Sequence, residues 1–197
     1  MIEGITYVPN YVDRPEHDQF LAIVDQSPWQ RSLDHDVQVY GYSYSHRQRA
    51  AYRIGDIPSW ATPLATRLYQ DGHIPQAPNQ LVVNSYQPGE GFWDHVDQAV
   101  FGETILSVSL GSTCIMRFTR DAPDASEELL LEPGSLLVLT GPSRWAWKHG
   151  IPPRASDAWC GREYARSRRV SFTFRAVPMN GGHAEARAKQ HHSQHEA

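Results

Sequence analysis

Short runs of alternating apolar and polar residues dominate the chain from residue 81 onward. Turn signals such as Pro88-Gly89, Gly111-Ser112 and Pro133-Gly134 separate them. Runs of this length bounded by Gly and Pro predict β-strands, and eight in regular succession favour a double-sheet jelly roll. The predicted strands are 81–85, 93–97, 104–110, 113–118, 128–131, 135–139, 146–151 and 169–176.

The first eighty residues show a different pattern, with two predicted helices at 14–26 and 60–70. Asp13 can cap the first helix, Pro15 suits its first turn, and Phe20 and Val24 belong to an apolar stripe. Between the helices, residues 37–40 and 42–44 alternate around Gly41 and predict strands. The expected fold class is α+β but mainly β, with the N-terminal helices packed outside the jelly roll.

Size and composition favour one globular domain. The chain has 197 residues, 40% of them hydrophobic, and no run of eighteen apolar residues. We expect residues 1–179 to form this domain, with the jelly-roll core at 81–177, and the polar tail at 180–197 to be disordered. Two cysteines give no disulfide or zinc pattern, and no signal peptide is evident, so a cytoplasmic location is expected. No membrane contact is expected, and we expect a monomer.

The net charge of −4 gives no overall basic field, but the arginines are clustered. No acidic residue lies between Asp36 and Asp56, a segment that contains Arg47, Arg49 and Arg53 among several tyrosines. A second cluster, residues 144–169, holds seven basic residues against two acidic ones. Arginine among tyrosines suits phosphate contact and base stacking. An ordinary solvated surface is the alternative for each cluster.

A His-x-Asp pair, His95 and Asp97, is followed about fifty residues later by His149. Two imidazoles and one carboxylate form the facial triad of non-haem iron(II) oxygenases. On one strand, residues two apart share a face, which suits two ligands of one metal. The alternatives are a surface turn for the pair and a buried structural histidine for His149. A second pair, His183 and Glu185, lies in the polar tail and is interpreted as a decoy.

The segment 169–175 is the second informative pattern. In an extended strand, one face carries the apolar residues at 170, 172 and 174, and the other carries Arg169, Ser171, Thr173 and Arg175. An inward-facing arginine needs an anion, because an unpaired buried charge is very costly. A small dicarboxylate would satisfy such a strand, since guanidinium groups bind carboxylates in a bidentate manner.

Taken together, these motifs resemble the AlkB family of iron(II)/2-oxoglutarate dioxygenases, which has Asn-x-Tyr, His-x-Asp, a distal His and Arg-x-Asn-x-Thr-x-Arg. The resemblance covers roughly residues 30–177. Within the family, the chain is similar to the branch that hydroxylates wobble uridines of tRNA. The one substitution within the last motif is serine where many members have asparagine. The matching residues here are Asn84, Tyr86, His95, Asp97, His149, Arg169, Ser171, Thr173 and Arg175.

The resemblance implies a double-stranded β-helix and an Fe(II)-dependent dioxygenase that uses 2-oxoglutarate and O2. It implies that His95, Asp97 and His149 bind the metal and act in catalysis. Arg169, with Tyr86 and Ser171, would hold the distal carboxylate of 2-oxoglutarate. Asn84 and Arg175, with Thr173 on the same strand face, would steady the end that chelates iron.

Residues 30–55 match in position the family's substrate lid. Tyr40, Tyr42 and Tyr44 alternate on what is expected to be one hairpin face, with His46 and Arg47 beside them, and are predicted to contact substrate. The expected substrate is a modified or alkylated nucleobase that is hydroxylated or demethylated, with RNA or tRNA favoured over DNA repair. The alternatives are a protein side-chain or small-molecule hydroxylase whose pocket the tyrosines line, and a non-enzymatic jelly-roll protein that senses 2-oxoglutarate. For the three tyrosines themselves, packing in the core is the alternative.

Overall fold

Two antiparallel sheets pack face to face in the computed structural model, which describes residues 2–120 and 126–178. The larger sheet has seven strands, and its long central strands are paired over seven residues. Their order across the sheet is β1 (Ile5–Val8), β11 (Leu136–Leu139), β8 (Ile105–Gly111), β15 (Arg169–Arg175), β6 (Gln80–Tyr86), β3 (Asp36–Tyr40) and β2 (Gln30–Arg31).

The smaller sheet has four strands, and two hairpins stand apart from both sheets. All eight strands predicted from residue 81 onward are present, so the jelly-roll prediction is confirmed. The strand order in the smaller sheet is β10 (Ser126–Leu131), β9 (Cys114–Thr119), β12 (Lys148–Ile151) and β7 (Phe92–His95). The hairpins are β4 (Tyr42–Ser45) with β5 (Ala50–Arg53), and β13 (Ser156–Trp159) with β14 (Arg162–Ala165).

Both predicted helices form, and each is slightly shorter than expected. Helix α1 (Arg14–Val24) begins where the Asp13 carboxylate accepts a hydrogen bond from the Glu16 amide at 2.9 Å. Helix α2 (Thr62–Gln70) ends at Asp71 and Gly72, whose φ of +78° turns the chain. A short helix α3 (Gly141–Trp145) and a 3-10 turn (Ala99–Phe101) were not predicted. No described helix is long or apolar enough to cross a membrane.

The apolar residues separate into two cores. The first lies between the helices and the outer face of the larger sheet, where Phe172 and Phe174 meet Phe20. The second lies between the two sheets and contains Phe118 and Leu137. Because side chains alternate along a strand, every second residue of β15 faces the first core, and the others face the space between the sheets.

Gly41 breaks the predicted alternation of the three tyrosines. Its φ is +80°, and a Cβ there would lie 1.9 Å from the Asn79 carbonyl oxygen, so only glycine fits. The chain leaves the larger sheet at this point and enters the β4–β5 hairpin. Tyr40 therefore packs edge-on against Trp60 in the first core, whereas Tyr42 and Tyr44 pack against the second. The prediction that the three rings share one face is wrong.

The buried Asp157 joins the β13–β14 hairpin to the smaller sheet and forms an ion pair at its base. Asp157, almost fully buried, accepts hydrogen bonds from Arg166 at 2.5 and 2.7 Å and from the Ile115 amide at 3.1 Å. At the turn of the hairpin lies Cys160, exposed and with a φ of +48°, whereas Cys114 is buried. The predicted disordered tail, 180–197, lies outside the described residues.

Replacing Asp157 by alanine is expected to lower the free energy of unfolding by about 3–5 kcal/mol, because the buried Arg166 loses its carboxylate and keeps only its hydrogen bond to the Pro152 carbonyl oxygen. Urea denaturation followed by circular dichroism measures the loss. Asp56→Ala is the matched control, since its pair with Arg53 is exposed on both sides and such pairs contribute little to stability. Equal losses in the two variants would contradict the role given to the buried pair.

Candidate iron and 2-oxoglutarate site

Three potential metal ligands converge between the sheets. His95 ends β7, His149 lies opposite it on β12, and Asp97 follows β7 by two residues. The imidazole nitrogens and carboxylate oxygen all lie within 4.8 Å of one another, close enough for one ion. Asp97 was predicted to lie on the strand, but it lies in the loop beyond it. The sequence argument from a shared strand face was wrong, although the three side chains do meet.

A bulge in β7 places His95 opposite His149. Phe92 pairs with Ile151 and His95 with His149, so two residues of β7 face the single Gly150 of β12. A Cβ at Gly150 would lie 2.4 Å from the Asp94 carboxylate and 2.7 Å from the Phe92 carbonyl oxygen. Only glycine therefore fits at position 150, where the β7 backbone lies close.

The electrostatics of the three groups suit a cation. Asp97 is 6% exposed, and one of its oxygens pairs with Arg175. Burial alone would raise the pKa of this carboxyl, but Arg175 and the two nearby histidines hold it well below its ordinary value. Burial and the nearby His149 lower the pKa of His95, which favours the neutral imidazole that binds metals.

An unpartnered oxygen supports metal binding at this place. The second oxygen of Asp97, Oδ2, is buried and has no hydrogen-bond partner among the described residues, although His149 Nε2 lies 3.3 Å away. A buried carboxylate oxygen without a partner is costly. A divalent ion between this oxygen and the two imidazoles would satisfy it, so the three residues fit an iron(II) ion.

Arg144 holds the loop that carries Asp97. Its guanidinium group is buried and donates hydrogen bonds to the carbonyl oxygens of Asp97 at 2.8 Å, Gln98 at 2.9 Å and Gly102 at 3.1 Å. Burial lowers the pKa of Arg144 to about 10, which leaves it charged at neutral pH. No sequence pattern points to this role of Arg144, because its partners are backbone carbonyls, which any residue provides.

The inward face of β15 agrees with the predicted alternation. Ser171 is buried, and all four inward residues, Arg169, Ser171, Thr173 and Arg175, line one cavity of about 470 Å³ between the sheets. Arg175, near Asp97, also donates to Gln80 at 3.2 Å.

Arg169 is a buried cation without a carboxylate partner in the described part of the chain. Its side chain donates to the Ser109 hydroxyl at 3.2 Å and lies 5.5 Å from the centre of the Tyr86 ring, and its Nε has no partner. Such a guanidinium group needs an anion. A carboxylate of 2-oxoglutarate would supply it, so the residues around Arg169 fit this cosubstrate.

Asn84 and Tyr86 lie on β6, directly beside β15. Asn84 pairs in register with Ser171, and its amide nitrogen lies 3.5 Å from the serine hydroxyl. Tyr86 pairs with Arg169, and burial raises the pKa of its phenol far above the ordinary value, so it remains a neutral donor. Both line the cavity with β15.

His35, for which the sequence offered no partner, belongs to the same cavity. It is 3% exposed, its ring stacks on Tyr86 at 4.6 Å, and its Nε2 lies 3.0 Å from the Asn84 side-chain oxygen. This contact could not be predicted from the sequence, because 49 residues separate His35 from Asn84. Only the pairing of β3 with β6 brings them together.

The predicted substrate residues separate into three groups. Tyr44 and His46 line the cavity that also contains the three potential metal ligands. Tyr40 is on the opposite face, and Tyr42 lines a neighbouring cleft next to α2. Arg47 is exposed at the tip of the β4–β5 hairpin. Two residues that were not predicted, Leu33 and Trp93, line the cavity while 80% and 54% exposed.

The second basic cluster is largely used within the protein. Arg154 pairs with Glu128 at 3.0 Å, and Arg168 with Asp25 at 2.7 Å. Arg166 pairs with the buried Asp157. Phosphate contact through residues 144–169 is therefore not supported, since most of these guanidinium groups already have partners.

Comparison with known proteins identifies the family. A sequence profile of the 2OG-Fe(II) oxygenase superfamily matches residues 4–175. The Arabidopsis thaliana "Alkylated DNA repair protein ALKBH8 homolog" is 34% identical over 89% of this chain and 59% of its own. The Mus musculus "tRNA (carboxymethyluridine(34)-5-O)-methyltransferase ALKBH8" is 31% identical over 88% of this chain. Here the match spans only 30% of the relative's length.

The fold agrees with this assignment. The solved structure of OsALKBH1 superposes with a TM-score of 0.68 at 15% identity, covering 89% of this chain and 98% of that one. Profile, relatives and fold agree with a site that offers two imidazoles, a carboxylate and a buried arginine. The chain therefore belongs to the AlkB family of the 2OG-Fe(II) oxygenase superfamily and is a dioxygenase that uses Fe(II), 2-oxoglutarate and O2.

Proposed function

We propose that this dioxygenase oxidises a modified or alkylated nucleobase, in RNA in preference to DNA. The observation that carries the proposal is the composition of the cavity mouth. Aromatic side chains of Tyr44 and Trp93 line it, and the adjoining β4–β5 hairpin presents Arg47 and Arg49. A flipped base needs aromatic faces, and its phosphates need cations.

The proposed roles at the inner end follow from the contacts there. His95, Asp97 and His149 would hold iron(II), which with 2-oxoglutarate and O2 supplies the oxidation of a C–H bond. Arg175 holds one oxygen of Asp97 and leaves the other without a partner, available to the ion that these residues would bind. Apolar side chains of the second core flank the site and would limit the access of water to the reacting groups.

Arg169 would bind the distal carboxylate of 2-oxoglutarate, with hydroxyl groups of Tyr86 and Ser171 beside it. Asn84 would contact the same molecule through its amide. Guanidinium and hydroxyl donors match a carboxylate because all of them donate hydrogen bonds to it. The proposed site thus takes its cosubstrate residues from β6 and β15 of the larger sheet, and its metal ligands from β7, β12 and the loop that follows β7.

The charge of the cavity favours a neutral base over a cationic one. Asp97 is the one acidic residue among those that line the cavity in the described part of the chain, and Arg175 pairs with it. The position two residues later, where the DNA-repair type of the family has an acid, is Ala99. A cationic alkylated base would therefore find no free carboxylate. This supports hydroxylation of a neutral base, as in RNA modification, over repair of cationic lesions.

The names of two relatives point to nucleic acid as well. The mouse relative is named for carboxymethyluridine of tRNA, and the Arabidopsis relative for repair of alkylated DNA. The chain spans 30% and 59% of these proteins, so their whole activities are not carried over. What they support is the class of substrate.

The proposal is tested by mass spectrometry of nucleosides after the protein is incubated with total tRNA or with DNA, plus iron(II), 2-oxoglutarate and ascorbate. A hydroxylated or demethylated nucleoside, formed in step with succinate and more abundant in tRNA, is expected. Asp97→Ala serves as the inactive control. Succinate formation without any change in nucleosides of either polymer would overturn the proposal.

A protein side-chain or small-molecule hydroxylase is the second candidate. It is favoured by the net charge of −4 and by the internal pairing of the second basic cluster. Binding to oligonucleotides distinguishes the two, because phosphate contacts make affinity fall steeply with salt. Absence of oligonucleotide binding at low salt would favour this candidate.

Trp93→Ala is expected to reduce oxidation of the nucleic acid roughly fivefold to a hundredfold, since stacking contributes about 1–3 kcal/mol per base. Uncoupled turnover of 2-oxoglutarate should be retained, because the indole makes no described contact with the predicted cosubstrate residues. Tyr69→Ala, at an aromatic residue 46% exposed on α2, is the matched control. Equal effects of the two substitutions would exclude Trp93 from the substrate contact.

A further inference from the structure

Among the described histidines other than the metal ligands, His35 is the one that is both buried and part of the cavity wall. It lies just before β3, in the segment that joins this strand to β2. Its ring is sandwiched against Tyr86, 4.6 Å away at an angle of 24°, and meets the edge of Phe92 at 5.2 Å. These contacts fix the plane of the imidazole.

The hydrogen bond of His35 fixes the Asn84 amide. Burial lowers the pKa of His35, so the ring is neutral at pH 7. The Asn84 oxygen can only accept, and Nε2 therefore carries the proton and donates to it at 3.0 Å. With its oxygen held on this side, the amide directs its nitrogen towards Ser171 on β15, 3.5 Å away.

The His35 ring makes no other hydrogen bond in the described structure. Its second nitrogen, Nδ1, is buried and has no hydrogen-bond partner there. A histidine that served only to fill the core would leave two polar atoms to be desolvated, where an apolar ring of similar shape would not. The hydrogen bond to Asn84 is therefore what the imidazole provides and an apolar ring would not.

We propose that His35 is a positioning residue for 2-oxoglutarate, which orients the Asn84 amide by hydrogen bonding and the Tyr86 ring by stacking. The proposal rests on the roles given above to Asn84 and Tyr86. His35 also links the predicted substrate lid to the cosubstrate strand, because Leu33, two residues earlier, lies at the cavity mouth.

Three variants separate the two contacts. His35→Phe keeps a ring to stack on Tyr86 but removes the donor to Asn84. His35→Gln keeps an N–H donor but removes the ring, and His35→Ala removes both. The dissociation constant of 2-oxoglutarate is measured by calorimetry on protein loaded with Mn(II), and thermal melting monitors the fold.

The affinity for 2-oxoglutarate should fall about tenfold in His35→Phe, the effect of one lost hydrogen bond to a buried group. The loss in His35→Gln should be about threefold, and that in His35→Ala should exceed both. The affinity for Mn(II) should stay within about twofold throughout. His73→Phe is the control, since this histidine packs edge-on against Tyr11 and does not line the cavity.

Three outcomes would contradict either the role of His35 or the cosubstrate assignment on which it rests. If Asn84→Ala and Arg169→Ala lose 2-oxoglutarate but His35→Phe binds it like the wild type, the His35 proposal alone is wrong. If those two variants also keep wild-type affinity, the cosubstrate assignment fails first. A parallel loss of Mn(II) affinity in His35→Phe would show that His35 supports the site generally, which also overturns the proposal.

Discussion

Asp97→Ala is expected to abolish dioxygenase activity and to lower metal affinity at least about a hundredfold, more than removal of a supporting residue around a metal typically does. The substitution removes the one carboxylate of the triad and leaves Arg175 beside two imidazoles, where its charge repels a cation. Calorimetric titration with Mn(II) measures binding, and succinate formation measures turnover.

Asp94→Ala is the matched control for this experiment. Asp94 lies three residues away, but its carboxylate faces Arg117 and Thr119 on β9, each at 3.1 Å. Metal binding should be retained there. Wild-type affinity for Mn(II) in Asp97→Ala would show that the three residues do not form the metal site.

Arg169→Ala is expected to weaken 2-oxoglutarate binding by about 3–5 kcal/mol, enough to abolish turnover at ordinary concentrations of 2-oxoglutarate. The reason is that the carboxylate would enter a buried position without its cation. Binding of Mn(II) should be unaffected, because Arg169 makes no described contact with the ligands. Calorimetry with each ligand in turn separates the two effects.

Arg168→Ala provides the control, since this neighbouring arginine lies on the surface and pairs with Asp25. Arg175→Ala is informative for the opposite reason. Its partner is Asp97, so both metal and 2-oxoglutarate affinity should fall, but each less than in the Asp97 and Arg169 variants. Wild-type affinity for 2-oxoglutarate in Arg169→Ala would refute the assignment.

The inward face of β15 could be predicted because it depends on one property of a strand, the alternation of side chains. To predict which side chains of residues 169–175 face inward, it was enough to know that the apolar face packs on the core. The same rule failed for Tyr40, where it was applied across Gly41. The positive φ of this glycine reverses the faces, and the close approach of the Asn79 backbone that requires it is invisible in the sequence.

Residues that support the site were missed for a different reason. His35 and Arg144 act through partners that are distant in the chain, an amide on β6 and the backbone carbonyls of a loop. A sequence pattern reports spacing along one element, whereas these contacts depend on the register between elements. Asp97 is the intermediate case, since its meeting with the two histidines was predicted, but it was predicted on a strand and lies in the loop beyond β7.

The exposed Cys160 at the turn of the β13–β14 hairpin gives the unmodified protein a reporter position. The sequence contains two cysteines, and Cys114 is buried, so a maleimide fluorophore should attach at one place without any mutagenesis. Cys160 does not line the cavity, and the hydrogen bond from the Ile115 amide to Asp157 ties its hairpin to the smaller sheet. The dye would therefore tumble with the whole protein, and fluorescence anisotropy could follow the capture of an oligonucleotide directly.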